Sequence, residues 1–106
     1  ADVIDVATRK SVRRLPLGDD PEAFDLSPDG KTLYVTNEDE AELSMIDIAS
    51  GKVLRKVPVG KEPEGVKVSH DGSVVWVTSQ PSSRRRSSAI AAGFGDLFIT
   101  DACFGI

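Results

Sequence analysis

A chain of 106 residues with 40% hydrophobic and 28% charged side chains can bury one modest core and has an ordinary globular composition. Its net charge of −4 excludes a whole-molecule attraction to nucleic acid or anionic lipid, so no nucleic-acid partner is expected. No apolar run approaches the ~18 residues of a membrane-spanning helix, no charged-then-apolar signal segment is present, and a single cysteine, Cys103, cannot close an internal disulfide.

Taken in chain order, the elements are short strands separated by turn residues. Asp2 to Leu17 carries two of them, with Asp5 placed to accept backbone hydrogen bonds before a turn. Ala23 to Ser27 alternates Phe24 and Leu26 with polar residues, as a half-buried strand does. Pro28-Asp29-Gly30 is a turn with glycine where φ is positive. Thr32 to Thr36 is β-branched and aromatic, a strand composition. Asn37 to Glu42 is a polar loop, Leu43 to Ile48 a strand, Ala49-Ser50-Gly51 a turn after Asp47, and Lys52 to Val59 a further strand. Gly65 to Ser69 and Ser73 to Thr78 follow the same scheme. No segment has a convincing 3.6-residue apolar period, so helix is not expected.

These elements recur. Val3 to Asn37 aligns without a gap on Met45 to Ser79 at an offset of 42, with 14 of 35 positions identical. Ile4-Asp5 returns as Ile46-Asp47, Pro21-Glu22 as Pro63-Glu64, Ser27, Asp29 and Gly30 as Ser69, Asp71 and Gly72, and Val35-Thr36 as Val77-Thr78. Tyr34 is matched by Trp76, Leu26 by Val68, and Leu15 by Val57. A period near 42 residues containing several short strands fits one β-propeller blade. Arg9 stands where Gly51 does, so either Arg9 adopts a left-handed conformation, at about 1 kcal/mol, or that turn is built differently.

Three stretches carry a family resemblance. Tyr34-Val35-Thr36-Asn37, Ser27-Pro28-Asp29-Gly30-Lys31, and Ile46-Asp47-Ile48-Ala49-Ser50-Gly51-Lys52 resemble the signature segments of the YVTN-family β-propeller repeat over roughly residues 2 to 80. The expected fold is all-β: four-stranded antiparallel propeller blades, about two of them, in an incomplete propeller. Residues 1–20 supply the outer strands of a preceding blade, 21–60 one complete blade, and 61–80 the inner strands of the next. Residues 81–106 break the repeat. They are either an unrelated tail or an insertion followed by a further strand, with Asp96 to Asp101 matching Glu42 to Asp47. Ala1 at the start fits a mature or excised piece.

The residues offer little chemistry. His70 lies in a Ser-His-Asp-Gly turn without a second histidine. Asn37, Glu38, Asp39, Glu40 and Glu42 form an acidic stretch that lacks the ligand spacing of a calcium loop. Arg84, Arg85 and Arg86 have no interleaved aromatics for base stacking. Cys103 has no neighbour that would lower its pKa. Gly93 and Gly95 do not make a phosphate loop, since no Lys-Ser/Thr follows. No catalytic, cofactor or metal residue is assigned. By fold analogy, the channel-end positions of the inner strands are Glu22 and Glu64, next to Ala23 and Gly65.

The resemblance implies a non-catalytic binding or scaffold module of an exported propeller, in the periplasm or at the cell surface. The alternative is a fragment of an enzyme-associated propeller of the haem-d-binding nitrite-reductase, quinoprotein-associated or lactonase kind. The expected partners are the remaining blades of a longer propeller or further copies of the chain. Phe24, Leu26, Leu33, Val35, Met45, Ile46 and Ile48 are expected to be buried against Val66, Val68, Val75 and Val77 on one side and Ile4 and Val6 on the other. Tyr34 and Trp76 are expected at equivalent sites.

Overall fold

The computed structural model describes residues 1–80 in full and the strands at 91–94 and 97–103 by their backbone. The described residues are all strand and turn. Strands β1 (Asp2–Asp5) and β2 (Lys10–Arg14) form a two-stranded antiparallel sheet. Strands β3 (Pro21–Leu26), β4 (Thr32–Asn37), β5 (Glu42–Asp47) and β6 (Val53–Pro58) form a four-stranded antiparallel meander in chain order. This meander occupies the stretch from Pro21 to Val59 read as one complete blade, with turns at Asp29-Gly30, Glu38 to Ala41 and Ser50-Gly51. Strands β7 (Pro63–Val68) and β8 (Val74–Ser79) repeat β3 and β4. Among the described residues, no helix is long and apolar enough to cross a membrane.

The two copies agree in backbone detail. β3 shifts register between Pro21 and Ala23, and β7 shifts between Pro63 and Gly65. β1 shifts between Val3 and Ile4, and β5 between Met45 and Ile46. Left-handed residues recur at the 42-residue offset: Gly30 and Gly72 at φ 71 and 74, Asp20 and Glu62 at φ 50 and 49. Arg9 adopts φ 57 where Gly51 has φ 72, so the turn is the same and the side chain bears the strain.

Four of the turns are each fastened by one carboxylate. Asp29 Oδ1 accepts from the Ser27 hydroxyl and the Lys31 amide, at 2.6 and 3.0 Å, and the Thr32 amide donates to Ser27 Oγ. Asp71 repeats this with Ser69 and Ser73. Asp5 accepts from the Thr8 amide at 2.7 Å, and Asp47 from the Ser50 amide at 2.8 Å. These Asx-type turns fix the hairpin register, which in turn sets the face each side chain takes.

Two core clusters lie between blades. Leu15 packs with Leu33, Val35 and Ile46, joining the β1–β2 sheet to the complete blade. Its counterpart Val57 packs with Val75 and Val77, together with Tyr34, Leu43 and Val68, joining the complete blade to β7–β8. Asp25 adds a polar clasp at the second junction: its Oδ2 accepts from the Val68 amide at 2.8 Å.

Burial departs from expectation in a regular way. Leu33, Val35 and Ile46 are buried, and Met45 and Ile48 are half-buried. Phe24 and Leu26 are 69% and 44% exposed, whereas their counterparts Val66 and Val68 are half-buried and 7% exposed. Val68 is packed against the neighbouring four-stranded sheet; Leu26 lines the open cavity beside the two-stranded β1–β2 sheet. Ile4 and Val6 are exposed for the same reason. Tyr34 is 5% exposed and Trp76 is 42% exposed. They hold equivalent strand positions, and among the described residues only Tyr34 has a further sheet packed against it.

Beyond the repeat, β9 (Ala91–Phe94) and β10 (Leu97–Cys103) extend the β7–β8 sheet in the order β7-β8-β10-β9. β10 lies beside β8 where β5 lies beside β4. It runs parallel to β8, whereas β5 runs antiparallel to β4. The register that matches Asp101 to Asp47 requires the antiparallel direction and is not formed. Arg84, Arg85, Arg86 and Gly95 lie outside the described residues, as does the Cys103 side chain.

Candidate functional site

The inner strands β3 and β7 begin at matching bulges, and these place Glu22 and Glu64 at one end of the blades. A bulge frees a residue from the ladder and re-aims its neighbours. The β3 bulge is sealed by Thr36, whose Oγ1 accepts from the Ala23 amide at 3.1 Å and donates to the Ala23 carbonyl at 3.3 Å. In the second copy, Gly65 replaces Ala23, and a Cβ there would run into the Thr78 hydroxyl. The close approach of that hydroxyl requires glycine. The linker residues Asp20 and Glu62 take left-handed conformations next to the bulges, and their carbonyls accept from the Glu38 and Gln80 amides.

This geometry gathers carboxylates. One oxygen each from Asp20, Glu22 and Glu38 lies within 4.8 Å of the others. The hydrogen bond with Glu22, followed by desolvation and the charges of Glu22, Asp20 and Glu62, holds the Glu38 carboxyl above its usual pKa. The matching pair in the second copy sets an amide against a carboxylate: Gln80 donates from Nε2 to Glu64 Oε1 at 2.8 Å. Oxygen-only sets of this kind are the ligands hard cations take. Only the first copy has three carboxylates at this place, since Gln80 replaces Glu38.

The acidic stretch after β4 is divided among several tasks. Asn37 is fully buried and donates from Nδ2 to Ser44 Oγ at 2.8 Å. Glu40 and Glu42 share Lys56, at 3.3 and 3.4 Å. Glu38 turns instead toward Asp20 and Glu22. Its meeting with Asp20 and Glu22 was missed in the sequence, because the partners lie 16 and 18 residues away and are joined only by the bulged β3–β4 pairing. The available signal was the repeat itself, since Glu22 with Glu38 stands where Glu64 with Gln80 does.

The remaining candidates are structural. His70 is exposed in the turn before Asp71. Ser69, which adjoins it, donates its hydroxyl to Asp71 and accepts the Val74 amide. Hydrogen bonds from the Ser73 side chain, the Ser73 backbone and Ser69 lower the Asp71 carboxyl to about 2. Gly93 lies within strand β9 and not in a loop. A separate feature is an apolar cavity of about 730 Å³ between β1–β2 and the β3 face, lined among others by Val3, Leu15, Phe24, Leu26, Leu33 and Val35. Glu22 stands at its margin.

A family model described as YNCE-like beta-propeller matches residues 1–84. Among solved structures, hydrazine synthase from Kuenenia stuttgartiensis is 33% identical with a TM-score of 0.69, covering 72% of this chain and 22% of that one. Dihydro-heme d1 dehydrogenase NirN, solved in complex with DHE, is 25% identical with a TM-score of 0.60, covering 72% of this chain and 16% of that one. The chain thus spans about a fifth of the first neighbour's length and about a sixth of the second's. A search of curated proteins finds no match.

Proposed function

Because the chain belongs to the YNCE-like β-propeller family, we propose that it serves as blade material of a larger propeller, with a binding and scaffolding role and without a reaction of its own. The observation that carries this reading is where its reactive groups go. The hydroxyls of Ser27, Ser50, Ser69 and Ser73 donate to Asp29, Asp47 and Asp71 within turns. Those carboxylates are thereby committed to hairpin geometry, and a nucleophile needs a base that is free to take its proton. Glu22 and Glu64 stand at the channel end, and a ligand reaching them there would meet carboxylates, which favour cationic groups. The resemblance supports export to the periplasm or the cell surface, and fractionation of the producing cell tests that part.

Assays of the purified chain for ester, lactone and redox turnover test the central claim. No turnover is expected. Turnover lost in His70→Ala or Asp71→Asn would overturn it.

Both structural neighbours are named as enzymes and one as a haem enzyme, which favours a second reading, in which the blades belong to the propeller of such an enzyme. One neighbour is named as a haem d1 dehydrogenase and the other as hydrazine synthase. Absorbance titration of the chain with haem separates the readings. A saturable shift of the haem band favours the second, and an unchanged spectrum favours the first.

A further inference from the structure

We propose that the outer strand of the blade is a docking surface for an acidic amphipathic helix of a partner protein, with Leu54 as the apolar contact and Lys52 as its charged flank. The inference goes beyond the role of blade material. It concerns the side of the blade farthest from its inner strand and depends on no channel ligand.

The surface is visible first in the repeat. Lys10-Ser11-Val12-Arg13-Arg14 returns at the offset of 42 as Lys52-Val53-Leu54-Arg55-Lys56. These residues form β2 and the start of β6, the last strands of their sheets. Neither strand holds a carboxylate, although the chain as a whole carries −4. The inner strand β3 has the reverse content, Glu22 and Asp25 with no cation.

The backbone then sets one side chain apart. Arg55 of β6 pairs with Met45 and Val53 with Ile46, so Leu54 is an extra residue with no partner on β5. β2 repeats this: Arg13 pairs with Val3 and Ser11 with Ile4, and Val12 is the extra residue. A bulge re-aims the side chain it carries, and both copies put an apolar residue there. Leu54 is 58% exposed. That exposure does not come from a missing neighbour, because its sheet has β1–β2 packed on one face and β7–β8 on the other.

The same features decide what kind of segment fits. Among the described residues β6 pairs with β5 alone. A bulge, cations and Pro58 on such an edge keep a further strand from adding to it. They account for the lysines and arginines but not for the exposed leucine, since a polar residue at the bulge would block pairing equally well. A segment that cannot bond to the β6 backbone must satisfy its own backbone groups, and a helix does so. The apolar stripe of an amphipathic helix covers Leu54.

The charges select the sign of that helix. Arg14 is held by Asp2 at 2.9 Å, and Lys56 by Glu40 and Glu42 at 3.3 and 3.4 Å. Lys52 is exposed two residues from Leu54, and glutamates flanking the stripe complement it. Neither outer strand has an aromatic residue, so a nucleic acid would have charge alone to hold.

The probe is a fluorescein-labelled, helix-forming peptide of about 18 residues, with leucines at i, i+3, i+4 and i+7 and glutamates elsewhere, read by anisotropy. Saturable binding is expected, against the repulsion between two net anions. Leu54→Ser should weaken it about tenfold, and Leu54→Met, which keeps the apolar contact, should retain it. Lys52→Glu should weaken it about fivefold at low salt and less at high salt. Lys61→Glu makes the same charge change in the linker after β6 and should leave binding within about twofold. All three positions are exposed, so each variant should keep its circular dichroism. Absence of saturable binding would overturn the proposal. So would equal binding of a peptide with alanine in place of leucine, or equal or tighter binding of heparin or duplex DNA, since either shows attraction by charge alone. Binding that Leu54→Ser leaves unchanged, or that Lys61→Glu weakens as much as Lys52→Glu, would place the contact elsewhere and overturn it too.

Discussion

At the scale of single residues, the two copies test each other. Arg9 holds φ 57 where Gly51 holds φ 72, and a side chain in that region costs roughly 1–2 kcal/mol. Glycine returns part of this through its freedom in the unfolded chain. Arg9→Gly is therefore expected to stabilise by roughly 0.5 kcal/mol, read as a higher urea midpoint; a lower midpoint would contradict the shared turn. Glu38 offers a comparison with Gln80. Its pKa is raised in the folded chain, chiefly by Glu22, so folding favours its protonated form. Its contribution is then most favourable below the ordinary carboxylate pKa and is lost as pH rises through the folded value. Glu38→Gln supplies the amide that Gln80 gives to Glu64. It should raise the thermal midpoint at neutral pH and change little near about pH 4. A gain that is equal at both pH values would show that Glu22 is not the cause.

At the scale of strands, turn chemistry and β-branched composition made the hairpins legible. Asp5, Asp29, Asp47 and Asp71 mark their turns in the sequence and fasten them in the structure. The carboxylate cluster was legible only in part. The repeat places Glu22 at the start of an inner strand, but Glu38 meets it and Asp20 through a bulge between Pro21 and Ala23, and nothing local to Glu38 announces it. The apolar alternation of β3 was also legible, though its burial was not. A strand pattern says which side chains share a face, and the cover on that face comes from another sheet. Leu43 and Phe24 make the distinction measurable. Leu43 is 0% exposed in the closed junction, and Leu43→Ala should cost about 2–5 kcal/mol. Phe24 is larger but 69% exposed, and Phe24→Ala should change the stability of the unassociated chain by no more than about 0.5 kcal/mol. Equal losses in denaturant titrations would mean that the β3 face is covered in the single chain.

At the scale of the molecule, stability is graded along the chain, because each blade is held by its neighbours. The complete blade lies between two core clusters: Leu33, Val35 and Ile46 face one way, Tyr34, Leu43 and Val57 the other. A two-stranded sheet is marginal by itself, and the β1–β2 sheet is tied to the rest mainly through Leu15 with support from Val3 and Leu17. Local opening should therefore require the least free energy at β1–β2 and the most at β4 and β5, since exchange protection follows the contacts that must break. Hydrogen exchange followed by mass spectrometry at concentrations where the chain is unassociated should show the slowest exchange at Leu33–Thr36 and Leu43–Ile46 and the fastest at Asp2–Arg14. Uniform protection along the chain would show that the two clusters do not act as separate junctions.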